Sequence, residues 1–216
     1  MAHLKRQKVP KNWPIHRKGT KFVVRPNSNL EDGLPLLVIL RDLLKVAQNR
    51  KEVKRAIYSK HILRNNKPAR DEKNSLSLFD TISLVPSKKH YRLELTSNGK
   101  FKVSEIKEAE ANHKIAKVVD KKTLKGKKVQ LNLSDGKNFL STIKCNTGDS
   151  VLINFKEKKL EKSLLLKDKA KVIVFGGKHA GKQGEIRKLK LERKMASVTA
   201  GKENLNVLIK QLMVIE

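Results

Sequence analysis

Positively charged side chains outnumber acidic ones along almost the whole of this chain. The sequence has 50 Lys and Arg residues against 21 Asp and Glu residues, which gives a formal net charge of +29 over 216 residues. A folded chain with that excess repels itself unless an anionic partner neutralises it. Nucleic acid and acidic membrane are the two obvious partners, so the charge restricts the function before any motif is considered.

The apolar segments of the chain are too short to cross a membrane. The longest, Leu34 to Leu40, has seven residues and includes a proline, whereas a membrane span needs about 20. The first six residues also lack the apolar core of a secretory signal. We therefore expect a cytoplasmic protein without a membrane partner, which binds nucleic acid by releasing counterions from neutralised phosphates.

The cysteine and histidine content predicts neither a disulfide nor a metal site. Cys145 is the single cysteine, so no intramolecular disulfide can form, which fits a reducing cytosol. None of the six histidines is placed at zinc-ligand spacing from this cysteine or from another histidine. We expect no structural metal, no cofactor and no small-molecule substrate.

The first 34 residues form a segment that carries many cations and has no regular apolar period. They contain eight Lys and Arg residues and no acid before Glu31. Pro10, Pro14 and Pro26 oppose helix formation, so we interpret the segment as an extended basic arm, the alternative being a disordered tail. Trp13 has two interpretations at this point, as a ring that stacks on a base or as a local apolar anchor.

Two helices are predicted after the arm. Over residues 35–48, Pro35 suits the first turn, and apolar residues then recur at helical spacing from Leu36 to Ala47. A shorter helix fits Lys51–Ser59, where Val53 and Ile57 are apolar and the other face is basic. A basic helix face is often merely solvated, but two such helices after a basic arm favour contact with RNA.

Beyond residue 60 the apolar residues alternate with a period of two, which indicates strands. Thr81–Val85 and Val129–Leu133 are examples, and turn signals such as Asn65-Asn66 and Ser97-Asn98-Gly99 separate the strands. Short strands at this spacing are typical of a small antiparallel barrel or sandwich. The strands after Lys171 suffice for one five-stranded SH3-like barrel, and the predicted fold class is α+β.

A glycine-rich loop near the end of the chain resembles a nucleotide-binding P-loop only in part. Gly176, Gly181 and Lys182 have the P-loop spacing, but Gln183 stands where a Ser or Thr should ligate magnesium. The alternating residues that follow predict a strand instead of the helix that would hold phosphates. We interpret the loop as a glycine turn whose backbone approaches a ligand or an RNA strand closely, the alternative being a plain hairpin loop with exposed lysines.

Segments spread over almost the whole chain resemble the archaeal and eukaryotic small-subunit ribosomal protein four-e family, and the archaeal members most of all. The loop from Gly176 to Ile186 looks like a KOW motif, which is a basic RNA- or protein-binding loop of SH3-like barrels. The other similar segments are His3-Leu4-Lys5-Arg6, Pro10-Lys11-Asn12-Trp13, Leu34–Asp42, Glu52-Val53-Lys54, Phe79–Leu84 and Tyr91-Arg92-Leu93.

This resemblance implies four parts and a role without turnover. They are a basic N-terminal arm (1–34), a helix–helix–hairpin alpha-L RNA-binding module (35–88), a central antiparallel β domain (89–167) and a KOW SH3-like domain (168–216). The implied partners are small-subunit ribosomal RNA and neighbouring small-subunit proteins. The chain departs from the family pattern at Asn65-Asn66, where the hairpin turn usually has a glycine, and over Lys73–Leu78.

The arm, the two helices and the glycine loop together supply the predicted RNA-binding side chains. They are His3, Lys5, Arg6, Lys8, Lys11, Trp13, Arg17, Lys18, Lys21, Arg25, Arg41, Lys45, Lys51, Lys54, Arg55, Arg64, Lys178, His179 and Lys182.

Two other classes of function stay open at this point. Alpha-L modules also precede catalytic domains such as those of pseudouridine synthases, although the residues after the module show no recognisable catalytic aspartate motif. A transcription factor that uses a KOW domain to hold polymerase is the second. The prediction is a structural RNA-binding protein that is not an enzyme.

Overall fold

Two units account for the residues that the computed structural model describes, which are 3–141, 143–190, 192–201 and 203–215. Unit 1 comprises Met1–Leu95 and Lys100–Asn112. Unit 2 comprises Thr96–Gly99 and His113–Glu216. Each unit has its own sheets, and each is described separately.

The described part of unit 1 combines a five-stranded sheet with two strand pairs, three short α-helices and a π-helix. All of its strand pairings are antiparallel, the large sheet has the order β5-β4-β7-β8-β9, and the separate pairs are β1-β2 and β3-β6. The elements are β1 (Leu4–Lys5), a 3-10 turn (Arg6–Lys8), β2 (Phe22–Val23), β3 (Gly33–Pro35), α1 (Leu36–Val38), a π-helix (Ile39–Leu43), α2 (Arg50–Tyr58), β4 (Ile62–Arg64), β5 (Lys67–Pro68), β6 (Ser75–Ser77), β7 (Thr81–Leu84), β8 (Lys89–Leu95), β9 (Phe101–Ile106) and α3 (Glu108–Ala111).

The helix predicted over residues 35–48 is present but shorter than expected. Helix α1 begins at Leu36 and continues as the π-helix, which ends at Leu43. Lys45 then adopts a left-handed conformation with φ of 53°, and the N–H of Val46 donates to the carbonyl of Leu40 over 3.0 Å. A non-glycine residue in this conformation ends a right-handed helix. The prediction was therefore wrong beyond residue 44, because apolar spacing alone does not reveal a backbone reversal.

The second helix is confirmed to within one residue, and its start has a clear chemical cause. The side-chain oxygen of Asn49 accepts hydrogen bonds from the N–H groups of Lys51 at 2.9 Å and Glu52 at 3.1 Å. The carboxylate of Glu52 in turn accepts from the N–H of Gln48 at 2.7 Å. This reciprocal arrangement satisfies donors that the first helical turn leaves free. It fixes the register of α2 and hence which face of the helix is exposed.

Two asparagines, Asn65 and Asn66, form the turn between β4 and β5. Both residues have positive φ values, 50° and 59°, as a two-residue hairpin turn requires. The Asn65 side chain also accepts from the N–H of Thr81 and donates to Asp80, both over 2.9 Å. Asparagine therefore supplies the positive φ values that this hairpin turn requires.

The large sheet of unit 1 runs across the domain limit expected at residue 89. Strand β8 pairs with β7 from Leu84↔Lys89 to Thr81↔Arg92, and β9 then pairs with β8. A division between residues 88 and 89 would separate two hydrogen-bonded neighbours. Unit 1 instead continues to Asn112.

Unit 2 contains two five-stranded antiparallel sheets. Their orders are β12-β11-β10-β13-β14 and β18-β17-β16-β15-β19. The strands are β10 (His113–Thr123), β11 (Val129–Leu133), β12 (Asn138–Ser141), β13 (Ser150–Asn154), β14 (Lys159–Leu164), β15 (Lys171–Val174), β16 (Gln183–Lys190), β17 (Met195–Ala200), β18 (Glu203–Leu208) and β19 (Leu212–Val214), with 3-10 turns at Lys125–Lys127 and Ile209–Gln211.

Each sheet of unit 2 encloses a small apolar core. The first core includes Leu131, Val151 and the buried thiol of Cys145. The second includes Val172, Ile186 and Leu212. Burial raises the pKa of the Cys145 thiol. Five strands in the last sheet agree with the number predicted from the sequence.

Two lysines of β10 are buried, and each has its charge compensated differently. Lys114 Nζ donates to the buried carboxylate of Asp135 over 2.9 Å. Burial works to raise the pKa of Asp135, but the charges of Lys114 and Lys137 outweigh it and hold that pKa below its usual range. Lys117 Nζ donates to the backbone carbonyls of Ile209 and Leu212 and so connects β10 to the segment before β19. Burial lowers the pKa of Lys117 to about 8.

The depressed pKa of Lys117 predicts that the protein gains stability as pH rises from about 8 to about 10.5. Lysine in the unfolded chain keeps its proton up to about pH 10.4, whereas folded Lys117 releases it near pH 8. The unfolded state binds more protons in this window, so the free energy of unfolding increases with pH, by up to roughly 3 kcal/mol.

Urea unfolding of the wild type and of Lys117→Met between pH 7 and pH 10.5 measures this contribution. The difference between them should shift in favour of the wild type as pH rises. Lys188→Met removes an exposed lysine of the same unit and should show no such shift. A wild-type-minus-Lys117→Met difference that stays constant with pH would contradict the assignment.

Candidate nucleic-acid interface

The N-terminal arm folds back on itself and surrounds a concave basic pocket. Strand β1 pairs with β2, and the N–H of Arg6 donates to the carbonyl of Lys21 over 2.9 Å. The pocket has a volume of about 430 Å³ and is lined by Lys5, Arg6, Gln7, Arg17, Lys18, Gly19, Thr20 and Lys21. Five of these eight lining residues are cationic and none is acidic. A concave surface lined by one sign of charge focuses the field and attracts anions such as phosphate.

Arg6 builds this pocket more than it offers donors to a ligand. Its guanidinium donates to the carbonyl of Thr20 at 2.7 Å, to the carbonyl of His16 at 2.8 Å and to the Thr20 hydroxyl at 2.8 Å. A Cβ at Gly19 would stand 3.1 Å from the guanidinium carbon, and Gly19 has φ of 139°. Arg6 therefore holds residues 16–20 in a loop, and its positive charge remains at the wall of the pocket.

Trp13 anchors the arm instead of presenting a ring to RNA. Only 2% of its surface is exposed. Next to it, the carbonyl of Asn12 accepts from the N–H of Phe101 in β9 over 2.9 Å, and the Asn12 amide donates to the carbonyl of Glu31 over 3.0 Å. A ring buried in this way cannot stack on a base. Including Trp13 among the RNA-binding residues was therefore wrong, and the apolar-anchor interpretation holds.

Two aromatic side chains that the sequence did not single out for binding are exposed beside cations. Phe22 is 49% exposed, its ring lies 5.5 Å from that of His3, and Lys21 Nζ lies 5.5 Å from its centroid. Tyr58 at the end of α2 is 79% exposed. Exposed rings beside cations suit base stacking. The sequence could have indicated Tyr58, because it lies seven residues after Lys51 and therefore on the same face of the helix.

Helix α2 carries a continuous basic face. Lys51, Lys54, Arg55 and Tyr58 follow the spacing i, i+3, i+4, i+7, and all four are exposed. The opposite face buries Val53 and Ile57. The side chains of Lys51, Lys54 and Arg55 form no ion pair with the residues that the structure describes. Their charges are therefore available to an external anion.

Two predicted RNA-binding arginines form ion pairs with acidic side chains of unit 1. The Arg41 guanidinium makes two hydrogen bonds to Asp42, over 2.8 and 2.9 Å, which raise the pKa of Arg41 against the opposing effect of burial. Arg64 donates over 3.2 Å to the buried carboxylate of Asp80. Both arginines are partly buried and their charges are largely neutralised. Their acidic partners leave Arg41 and Arg64 less available to RNA than the unpaired cations of α2.

In the glycine loop between β15 and β16, a close contact within unit 2 requires glycine at position 181. Gly181 has φ of 88°, and a Cβ there would lie 1.8 Å from the carbonyl oxygen of Thr96. A side chain is therefore impossible whether or not RNA is present. A strand and not a helix follows the loop, as expected, although β16 already begins at Gln183, and this removes the P-loop alternative.

The cations of this loop differ in availability. Lys178 is exposed and His179 is half-buried. Lys182 pairs with Glu203, and its hydrogen bond and charge lower the pKa of that carboxylate. Lys178 is thus the loop cation most open to an external anion.

The remaining predicted residues divide by location. The structure gathers Lys5, Arg17, Lys18 and Lys21 around the arm pocket. Five more predicted residues are exposed on unit 1 but do not line this pocket. They are His3, Lys8, Lys11, Arg25 and Lys45.

Within the described part of the chain, no helix is both long and apolar enough to span a bilayer. The same residues contain no group of three or more His, Cys, Asp or Glu side chains that could hold a metal ion.

Comparison with known proteins gives consistent family matches. Residues 87–160 match the model described as ribosomal family S4e, and residues 2–28 match the RS4NT (NUC023) domain. The small ribosomal subunit protein eS4 of Methanocella arvoryzae is 38% identical over 200 residues, covering 91% of this chain and 85% of that protein. The protein of the same name from Methanothermobacter thermautotrophicus is 35% identical, covering 92% of this chain and 83% of its own length.

A solved structure has the same fold. The crystal structure of the 30S ribosomal protein S4e from Thermoplasma acidophilum superposes with a TM-score of 0.73 at 22% sequence identity. The match covers 86% of this chain and 95% of that one.

Different effects are expected from replacing the exposed and the buried aromatic residue of the arm. Phe22→Ala should weaken binding to single-stranded RNA by roughly tenfold, since stacking contributes about 1–3 kcal/mol per base, and should leave the unfolding midpoint almost unchanged. Trp13→Ala should lower the free energy of unfolding by about 3–5 kcal/mol. Fluorescence anisotropy with a labelled RNA and thermal unfolding of both variants separate the two roles. Unchanged RNA affinity in Phe22→Ala would exclude the ring as a binding element.

Proposed function

This chain belongs to the ribosomal S4e family, and we propose that its basic arm and helix α2 bind small-subunit ribosomal RNA. The protein is a structural constituent of the small ribosomal subunit and serves translation there. Its family is one of ribosomal structural proteins and not of enzymes. The protein would act in the cytoplasm, where binding supports subunit assembly and no reaction is catalysed.

One observation carries this proposal above the others. Two exposed basic surfaces of unit 1, the arm pocket and the α2 face, each combine cations with an adjacent exposed aromatic ring. Cations contact phosphates and position the protein, whereas rings contact unstacked bases. Folded ribosomal RNA offers both kinds of target, since its loops and bulges expose bases beside dense phosphate.

We assign α1, α2 and the β4–β5 hairpin to an alpha-L module that sets the α2 face against RNA. The sheet of β15 to β19 would be the KOW domain, with Lys178 at the tip of its loop. Neighbouring small-subunit proteins would contact surfaces that the RNA leaves free.

Sedimentation of a cell lysate on a sucrose gradient tests the proposal directly. At moderate salt the protein should sediment with the small subunit and with whole ribosomes, and it should leave them only at high salt, because phosphate contacts dominate its affinity. Presence in the light fractions alone would contradict the proposal. Copurification with polymerase in those fractions would favour a transcription role, and nucleoside modification by the purified protein would favour an enzyme.

The α2 face predicts a measurable salt dependence. Each phosphate contact removed should reduce the slope of log affinity against log salt by about 0.7–0.9. The triple variant Lys51→Gln, Lys54→Gln, Arg55→Gln should therefore bind ribosomal RNA more weakly at low salt, with a slope smaller by roughly 2–3.

A control with the same loss of charge makes this result specific. Arg187→Gln, Lys188→Gln, Lys190→Gln removes three exposed cations from β16 and should change the slope far less. Equal slopes for the two triple variants would show that net charge alone sets the affinity, and the α2 face would lose its assigned role.

A further inference from the structure

The first sheet of unit 2 leaves an apolar groove open at its surface. The groove has a volume of about 1250 Å³, and its apolar lining is Val129, Phe139, Leu140, Ile143, Leu160 and Leu165. Leu140 is 61% exposed and Leu165 is 38% exposed. Large apolar side chains gathered at one exposed place mark an interaction surface more often than leucines scattered singly do.

The groove is lined by both edge strands of the sheet. The strand order places β12 at one edge and β14 at the other. Phe139 and Leu140 belong to β12, and Leu160 belongs to β14, so both edge strands contribute to the lining. An edge strand presents backbone donors and acceptors that an extended peptide can pair with.

Lysines surround this apolar lining. Lys121, Lys128, Lys144, Lys158 and Lys159 line the same groove, and none of its described lining residues is acidic. Lys121 Nζ donates to the carbonyl of Cys145, which holds it at the groove wall. The surface therefore combines an apolar floor, a positive rim and two edge strands.

We propose that this groove binds an extended protein segment in which apolar and acidic side chains alternate. Side chains of a strand point alternately to opposite sides, so one set would fill the groove and the other would face the lysines. The backbone of the segment would pair with β12 or β14. This inference concerns a protein partner and goes beyond the RNA-binding role.

The lining favours a protein segment over RNA. RNA-binding surfaces recognise bases by stacking on aromatic or guanidinium planes, yet Phe139 is the single aromatic among the groove's described lining residues and the other apolar ones are aliphatic. The volume also exceeds the roughly 300–1,000 Å³ of sites for small molecules. A run of peptide side chains fits both observations.

A designed peptide tests the groove in the full-length protein. The probe is a fluorescein-labelled ten-residue peptide of alternating glutamate and valine, measured by fluorescence anisotropy. A second peptide has serine in place of each valine and keeps the charge, and a ten-nucleotide single-stranded RNA serves as the nucleic-acid probe. Leu140→Ser and Leu165→Ser remove apolar lining at exposed positions, and Leu208→Ser is the matched control on β18, outside the groove.

The proposal expects the valine peptide to bind at least tenfold more weakly to Leu140→Ser and Leu165→Ser than to the wild type, and equally well to Leu208→Ser. Thermal unfolding should show that all three variants stay folded. Hydrogen exchange should show amides of β12 or β14 becoming protected when the peptide binds.

Three results would each overturn the proposal. The first is equal peptide affinity for Leu140→Ser, Leu165→Ser and Leu208→Ser. The second is binding of the serine peptide as tightly as the valine peptide, which would reduce the effect to charge. The third is a larger loss of RNA affinity than of peptide affinity in Leu140→Ser, which would make the groove an RNA surface. None of these results depends on whether the protein sediments with ribosomes.

Discussion

Repulsion among 50 cationic side chains is the condition that the whole structure has to meet. Most of these side chains point into solvent, where water screens them. The two buried lysines of β10 show the alternatives, since Lys114 is held by a buried carboxylate and Lys117 by two backbone carbonyls. Apolar cores stabilise each sheet beneath this charged surface. The excess positive charge of the surface favours binding of an anionic partner.

The same cations divide into two classes once their neighbours are known. The guanidinium of Arg6 makes three hydrogen bonds within unit 1, that of Arg41 makes two and that of Arg64 makes one. Arginine suits this role because its planar guanidinium bonds in a fixed geometry. The lysines around the arm pocket and on α2 remain available to ligands. Structural and binding roles thus lie side by side, so replacing an arginine and replacing a lysine test different properties of the protein.

The sequence predicted the strands well because each is a local pattern bounded by turn residues. The strand predicted over Val129–Leu133 begins and ends as predicted, and the one predicted over Thr81–Val85 ends one residue early, at Leu84. The end of the first helix was missed because it depends on the left-handed backbone of Lys45, which no side-chain pattern announces. The sequence predicted the site as a set of charged side chains. Which of these side chains pair with an acid or are buried depends on contacts that exist only in the folded chain. Sequence alone therefore could not separate Arg41 from Lys51, nor the buried Trp13 from the exposed Phe22.

The anchored arm has a thermodynamic consequence for association with RNA. Segments that order only on binding lose conformational entropy at that moment, and this loss reduces their affinity. Here the β1–β2 pairing, the buried Trp13 and the bonds of Arg6 order the arm already in the free protein. Little of the binding free energy is then consumed by ordering, and the heat-capacity change should reflect the contact surface alone. The proposed RNA contacts would thus be made by an arm that is already ordered, although it lacks a long helix or a broad sheet of its own.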